Sequence, residues 1–240
     1  MERLVIEQLK TWRDKKERKP LILRGARQVG KTWLLKEFGK TCFKNVCYVN
    51  FEQKAQLSDI FEGDLSTNDI IDKLSVYCGK RINPETTLII FDEVQEIPRA
   101  LTSLKYFAEE APQYAICCAG SLLGVALHEG TSFPVGKVDF LDLYPLSFQE
   151  FLMASGEEML VDYILKGKRD LEPFIEKLTN MLKQYFIVGG MPAAVNTWIA
   201  THDYFAVDDI QRNLISAYQN DFSKHAPKSL VEKIRYVWDS

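Results

Sequence analysis

The 240-residue chain has little of what marks several large functional classes. Its three histidines (His128, His202, His225) are scattered, so no cluster with metal-ligand spacing forms. The five cysteines (Cys42, Cys47, Cys78, Cys117, Cys118) are odd in number and include no C-x-x-C pair. Three of them sit inside apolar runs, where cysteine serves as a small buried hydrophobe, and a reducing cytosol fits. No apolar stretch approaches about 18 residues. The opening M-E-R-L-V-I-E lacks a signal-peptide core. The expectation is a soluble, cytoplasmic protein without a membrane partner. A net charge of -3 is too near neutral to announce nucleic acid, and no basic groove with interleaved aromatics is present. The charge is uneven: residues 1–40 hold 12 basic against 5 acidic side chains, leaving the remainder acidic. The basic stretch from Arg13 to Lys19 reads as a solvated linker ahead of the first strand.

What is present is concentrated early. Residues 25–32 read G-A-R-Q-V-G-K-T and complete the pattern G-x-x-x-x-G-K-[ST]. Glycines at positions 25 and 30 permit backbone angles closed to other residues, so successive N–H groups can point inward at phosphate oxygens. Lys31 adds a positive charge for β- and γ-phosphates, and the Thr32 hydroxyl suits Mg²⁺. The cradle comprises Gly25, Ala26, Arg27, Gln28, Val29, Gly30, Lys31, Thr32 and Trp33. The apolar run Leu21 to Arg24 before it reads as a buried strand. After it, Leu34, Leu35 and Phe38 follow helical spacing, with Gly39 placed to stop the helix. The loop therefore sits at a helix N-terminus, where unpaired N–H groups and the dipole favour anions.

Further strands are expected at 46–51, 87–93, 115–121 and 137–143, alternating with helices at 1–12 and 100–110 and a helix-leaning stretch up to Gly79. Near-continuously apolar strands between helices indicate a parallel sheet covered on both faces. After Pro145 only amphipathic helical segments follow, at 147–154, 171–188, 204–222 and 228–238. The division expected is a nucleotide-binding domain over 1–145 and a helical domain over 146–240. The ending W-D-S, with no closing glycine, proline or polar tail, suggests that the natural protein continues.

Asp92 and Glu93 end the third strand after L-I-I-F. Functional groups of a doubly wound sheet gather at the carboxyl ends of its strands. Asp92 is expected to hold Mg²⁺ with Thr32, and Glu93 to orient or deprotonate the water attacking the γ-phosphate. Ser121 closes the fourth strand. In sheets where that strand lies between the loop strand and the acidic strand, such a residue meets the γ-phosphate or the attacking water. Lys31, Glu93 and Ser121 are thus the candidate catalytic residues. Gln95 could reach the γ-phosphate region or cap the following turn. Arg24, Arg27, Arg99, Lys137 and Arg212 are candidates for the positive group that stabilises transferring charge. The aromatics Phe148, Phe151, Tyr185, Phe186 and Trp198 read as core, and G-G-M-P (Gly189 to Pro192) as a sharp helix–helix corner or a nucleotide contact.

With these motifs in hand, the chain resembles bacterial and archaeal AAA-superfamily ATP-binding proteins that carry a DUF4143 region after the ATPase module. The likeness rests on Leu21 to Thr32, Leu88 to Gln95, Ala119 to Ser121, Leu143 to Phe151, Gly189 to Pro192, and Y-Q-N-D (Tyr218 to Asp221). It implies a P-loop NTPase α/β fold with parallel strand order 5-1-4-3-2, a C-terminal all-helical lid, and winged-helix and nuclease-like domains beyond Ser240. Family members usually carry an arginine where Lys137 stands. The resulting expectation is an ATP-binding, ATP-hydrolysing, Mg²⁺-dependent switch that couples nucleotide state to a following C-terminal domain, with a homo-oligomer open. The alternatives are an ATP-holding interaction module without turnover, a small-molecule kinase, and a nucleic-acid motor. No T/N-K-x-D guanine reader is present, which favours ATP.

Overall fold

A computed structural model describes residues 1–52, 55–121, 134–167, 170–225 and 228–238. Two compact units partition the chain. The first to be described comprises Leu4–Ala26 and Gly30–Leu143. It begins with α1 (Ile6–Arg13) and β1 (Leu21–Gly25), then α2 (Lys31–Cys42) and β2 (Asn45–Asn50). A 3-10 segment at Ala55–Phe61 leads to α3 (Thr67–Cys78) and β3 (Thr87–Asp92). A second at Val94–Glu96 leads to α4 (Pro98–Glu110), β4 (Ala115–Ser121) and β5 (Asp139–Leu143). The sheet is parallel throughout, in the order β2-β3-β4-β1-β5. This is the 5-1-4-3-2 arrangement read in the opposite direction.

Burial explains the order. Every residue of β3 is buried, as a central parallel strand covered on both faces requires. On α2, Leu34, Leu35 and Phe38 turn inward, each contributing about 1.5–3 kcal/mol by leaving water. Gly39 does not stop this helix, which runs on to Cys42. A Cβ there would lie 2.6 Å from Val46 Cγ2 and 3.3 Å from Leu88 Cδ2, so the glycine lets α2 approach β2 and β3 closely. Cys117 and Cys118 are buried free thiols in β4, and burial pushes both well above the ordinary thiol range. Cys47 is buried as expected but is not free. It is disulfide-bonded to Cys78, across a Cα–Cα distance of 5.7 Å and 31 residues of sequence. The pairing follows from α3 returning its C-terminus to β2, which spacing could not reveal.

The other unit comprises Met1–Arg3, Arg27–Val29 and Tyr144–Ser240. Its described helices are α5 (Phe148–Ala154), α6 (Glu158–Leu165), α7 (Ile175–Val188), α8 (Pro192–Thr201), α9 (Tyr204–His225) and α10 (Lys228–Trp238). No strand occurs among its described residues. The core gathers Leu146, Phe151, Val188, Ala194, Val195, Trp198 and Val207, with Phe148 and Tyr185 partly buried against it. Phe186, expected in this core, is 76% exposed, because only Val188 of α7 is fully buried. Gly190 has its role in close approach. A Cβ would meet the Leu146 backbone oxygen at 2.2 Å, Leu146 N–H donates to the Gly190 carbonyl at 2.7 Å, and Tyr185 Oη donates to the Leu146 carbonyl. The G-G-M-P corner is thus packed onto the chain at Leu146.

A buried ion pair knits this unit together. Ser147 and Glu150 form a capping box that starts α5. Arg3 Nε donates to Glu150 Oε1 at 3.0 Å, with both side chains less than a tenth exposed. The other arm of the guanidinium reaches the carbonyls of Val29 and Tyr144, and Tyr218 Oη donates to the Arg27 carbonyl at 2.6 Å. Exchanging Arg3 for methionine removes the guanidinium that faces the buried Glu150 carboxylate. Urea unfolding followed by circular dichroism is expected to show a loss of about 3 kcal/mol. Adding Glu150→Gln is expected to return part of that loss, because the buried charge goes with it.

Candidate nucleotide-binding site

The geometry of the site is set by the ends of the parallel strands. β4 lies between β1 and β3, so Gly25 aligns with Ser121 and Asp92 with Ala119. On the outer side of β3, Asp92 aligns with Asn50 of β2. The glycine-rich loop thus leaves the sheet with one strand, β4, between it and the acidic tip. Gly25 is not the residue that bends it, since it continues β1 as a strand residue. The left-handed turns fall at Gln28 (φ 61°) and Gly30 (φ 98°), the latter capping α2. A left-handed glutamine is uncommon, and such conformations gather where a backbone is shaped for a ligand.

Lys31 lies in the first turn of α2 and is 8% exposed. Its Nζ donates to the carbonyls of Gly25 and Ala26, both at 2.9 Å. The ammonium therefore sits inside the loop whose amides it accompanies. Thr32 Oγ1 donates to the Asp92 carboxylate, 2.9 Å from Oδ2 and 3.2 Å from Oδ1. Asp92 itself is 3% exposed. A hydroxyl and a carboxylate meeting here supply hard oxygen donors, the set Mg²⁺ takes alongside phosphate oxygens and water. Among the described residues no group of three or more His, Cys, Asp or Glu side chains could hold a metal ion.

Glu93 follows directly, with φ 53° and ψ 48°, also left-handed. That turn directs the chain from β3 into the Val94–Glu96 segment. The Glu93 carboxylate is engaged: Gln95 Nε2 donates to its Oε2 at 2.6 Å. Gln95, read from sequence as a phosphate contact or a turn cap, is buried beside the glutamate. Ser121 has its backbone in register beside Gly25, and its side chain lies outside the described residues. Trp33 is 47% exposed.

Several candidate cations have other engagements. Arg24 forms a two-pronged pair with Asp142 on β5 and covers the Phe140 ring. Arg99 donates to the carbonyls of Phe61 and Gly63. Lys137 pairs with Glu109, and Arg212 with Asp208 one helical turn away.

One residue at the site escaped sequence reading. Tyr48 Oη donates to Asp92 Oδ2 at 2.7 Å. Burial first, and then the adjacent Asp92 carboxylate, raise the phenol above its ordinary range, so it stays protonated and remains a donor. Tyr48 aligns with Ile90, two residues before Asp92, on the face that Asn50 and Asp92 share. The signal lay in the alternation of N-V-C-Y-V-N, but it needed the adjacency of β2 and β3 to be read.

Comparison with known proteins bears on these observations. No curated protein matches the chain. In fold it is similar to the Walker-type ATPase paby2304 of Pyrococcus abyssi, with a TM-score of 0.55 and 14% identity over 93% of this chain and 75% of that one. Looser likenesses are to PCH-2 of C. elegans (TM-score 0.47, 14% identity, 88% of this chain and 66% of that one) and Drosophila ORC bound to DNA (0.48, 14%, 85% and 59%). Residues 179–240 match a domain of unknown function, DUF8612, where the resemblance had named a DUF4143 region. Among the described residues no helix is long and apolar enough to cross a membrane. Residues 17–152, more than half of the chain, match the AAA domain family AAA_14, to which this chain belongs.

Proposed function

We propose that the chain binds ATP with Mg²⁺, hydrolyses it, and uses nucleotide state to reposition its helical part and a following C-terminal domain. The observation that carries the reading is the meeting of Thr32 and Asp92 at 2.9 Å beside the Lys31 ammonium. Gly25 to Trp33 would cradle the phosphates, with Thr32 and Asp92 serving Mg²⁺. The metal would neutralise phosphate charge. Glu93 would orient the attacking water, and Ser121, ending the strand between β1 and β3, would face the terminal phosphate. The functional division follows the motifs: nucleotide chemistry in residues 1–145, response in the helices of 146–240. The cytoplasm, where ATP and Mg²⁺ abound, suits such a switch.

A second reading has its own support. Gln95 occupies one Glu93 oxygen, so the chain could hold ATP without turnover and signal by occupancy alone. Both readings require metal-assisted nucleotide binding. Isothermal titration with ATP is expected to give saturable binding with Mg²⁺ and an affinity about tenfold or more weaker with EDTA in its place. Absence of binding in both conditions overturns the proposal.

A further inference from the structure

The groups that meet at Asp92 come from three elements: the Thr32 hydroxyl from α2, the carboxylate itself from β3, and the Tyr48 phenol from β2. Thr32 alone would leave the carboxylate free to turn about its side-chain torsions. Tyr48 closes that freedom from the sheet side, at 2.7 Å. The tyrosine is itself fixed. Lys36, one turn beyond Thr32 on α2, places its Nζ 3.7 Å from the centroid of the Tyr48 ring, and Asn50 Nδ2 approaches the phenol oxygen at 3.4 Å. One helical face, carrying Thr32 and Lys36 four residues apart, thus covers both the acid and the residue that holds it.

We infer that Tyr48 is a positioning residue for the Mg²⁺ site: its phenol holds the Asp92 carboxylate in the orientation that accepts the metal's ligand shell, with Lys36 bracing the ring. The inference rests on the ATP–Mg²⁺ reading above. Its physical basis is that a carboxylate serving a metal is oriented by outer hydrogen bonds, whose loss weakens metal binding by about 10–100-fold. Nucleotide affinity without metal depends on the loop amides and Lys31, which Tyr48 does not touch.

Tyr48→Phe removes one oxygen and keeps the ring over which Lys36 sits. Mg²⁺ is titrated into protein with a fluorescent ATP analogue, and binding of the same analogue in EDTA is measured alongside. The half-saturating Mg²⁺ concentration is expected to rise about tenfold in Tyr48→Phe, with metal-free nucleotide affinity and thermal midpoint close to wild type. Lys36→Met, which keeps the phenol but frees the ring, is expected to show a smaller rise in the same direction. An unchanged Mg²⁺ dependence in Tyr48→Phe overturns the inference, as does an equal loss of affinity with and without metal, since that marks a structural role. A wild-type protein whose nucleotide binding ignores Mg²⁺ overturns the ATP–Mg²⁺ reading itself, and the two failures are thereby distinct.

Discussion

Lys31→Ala is expected to weaken ATP–Mg²⁺ binding about a thousandfold. The Lys31 ammonium is buried and donates to the carbonyls of Gly25 and Ala26, inside the loop. A triphosphate brings several negative oxygens to a place where solvent screens them poorly. Removing the ammonium forfeits that attraction and also loosens the loop, because the carbonyls of Gly25 and Ala26 lose a shared donor. Lys31→Met separates the two effects from simple loss of bulk: it fills the space without the charge and is expected to bind as poorly as the alanine variant. Isothermal titration reads the affinity, and the thermal midpoint without nucleotide reports the state of the fold. Wild-type affinity in both variants would remove the loop from the site.

The loop was legible in the sequence because its chemistry is local. A glycine, an ammonium and a hydroxyl at fixed spacing between a strand and a helix need no distant residue to be recognised. The strand Thr87–Asp92 was legible for a related reason, since a fully buried parallel strand has to read as an unbroken apolar run. The missed features depend on neighbours far along the chain. Arg3 and Glu150 are 147 residues apart, and although S-F-Q-E announces a capping box, nothing in it names the arginine that meets it. Tyr48 reaches Asp92 only because β2 lies beside β3 in register. Cys47 and Cys78 share no motif at all. Gly39 shows the converse: its residue type suggested a helix end, whereas close approach to Val46 and Leu88 is the constraint it answers. Phe186 fits the helical period of α7 yet faces solvent, since period alone does not say how much of a helix is covered.

Glu93→Gln is expected to leave ATP–Mg²⁺ affinity near wild type while lowering phosphate release by about 10²–10⁴-fold. Position supports this. Glu93 is adjacent to Asp92 in sequence but is turned by its left-handed backbone (φ 53°) away from the strand direction, so two successive carboxylates can serve different tasks. The substitution keeps shape and leaves that backbone in place, removing only the capacity to take a proton or orient water by charge. A factor of 10²–10⁴ corresponds to about 2.7–5.4 kcal/mol of barrier, far above what a surface change produces. Gln95 supplies an internal control. Its amide donates to Glu93 Oε2 at 2.6 Å, so Gln95→Leu releases the carboxylate without altering it. If the amide orients the base, Gln95→Leu lowers turnover by a smaller factor; if it holds the base in reserve, turnover rises. Phosphate release measured for all three proteins decides between hydrolysis and mere occupancy. A wild type as inert as Glu93→Gln would leave the chain an ATP-holding interaction module, its carboxylate held by Gln95 for structural reasons alone.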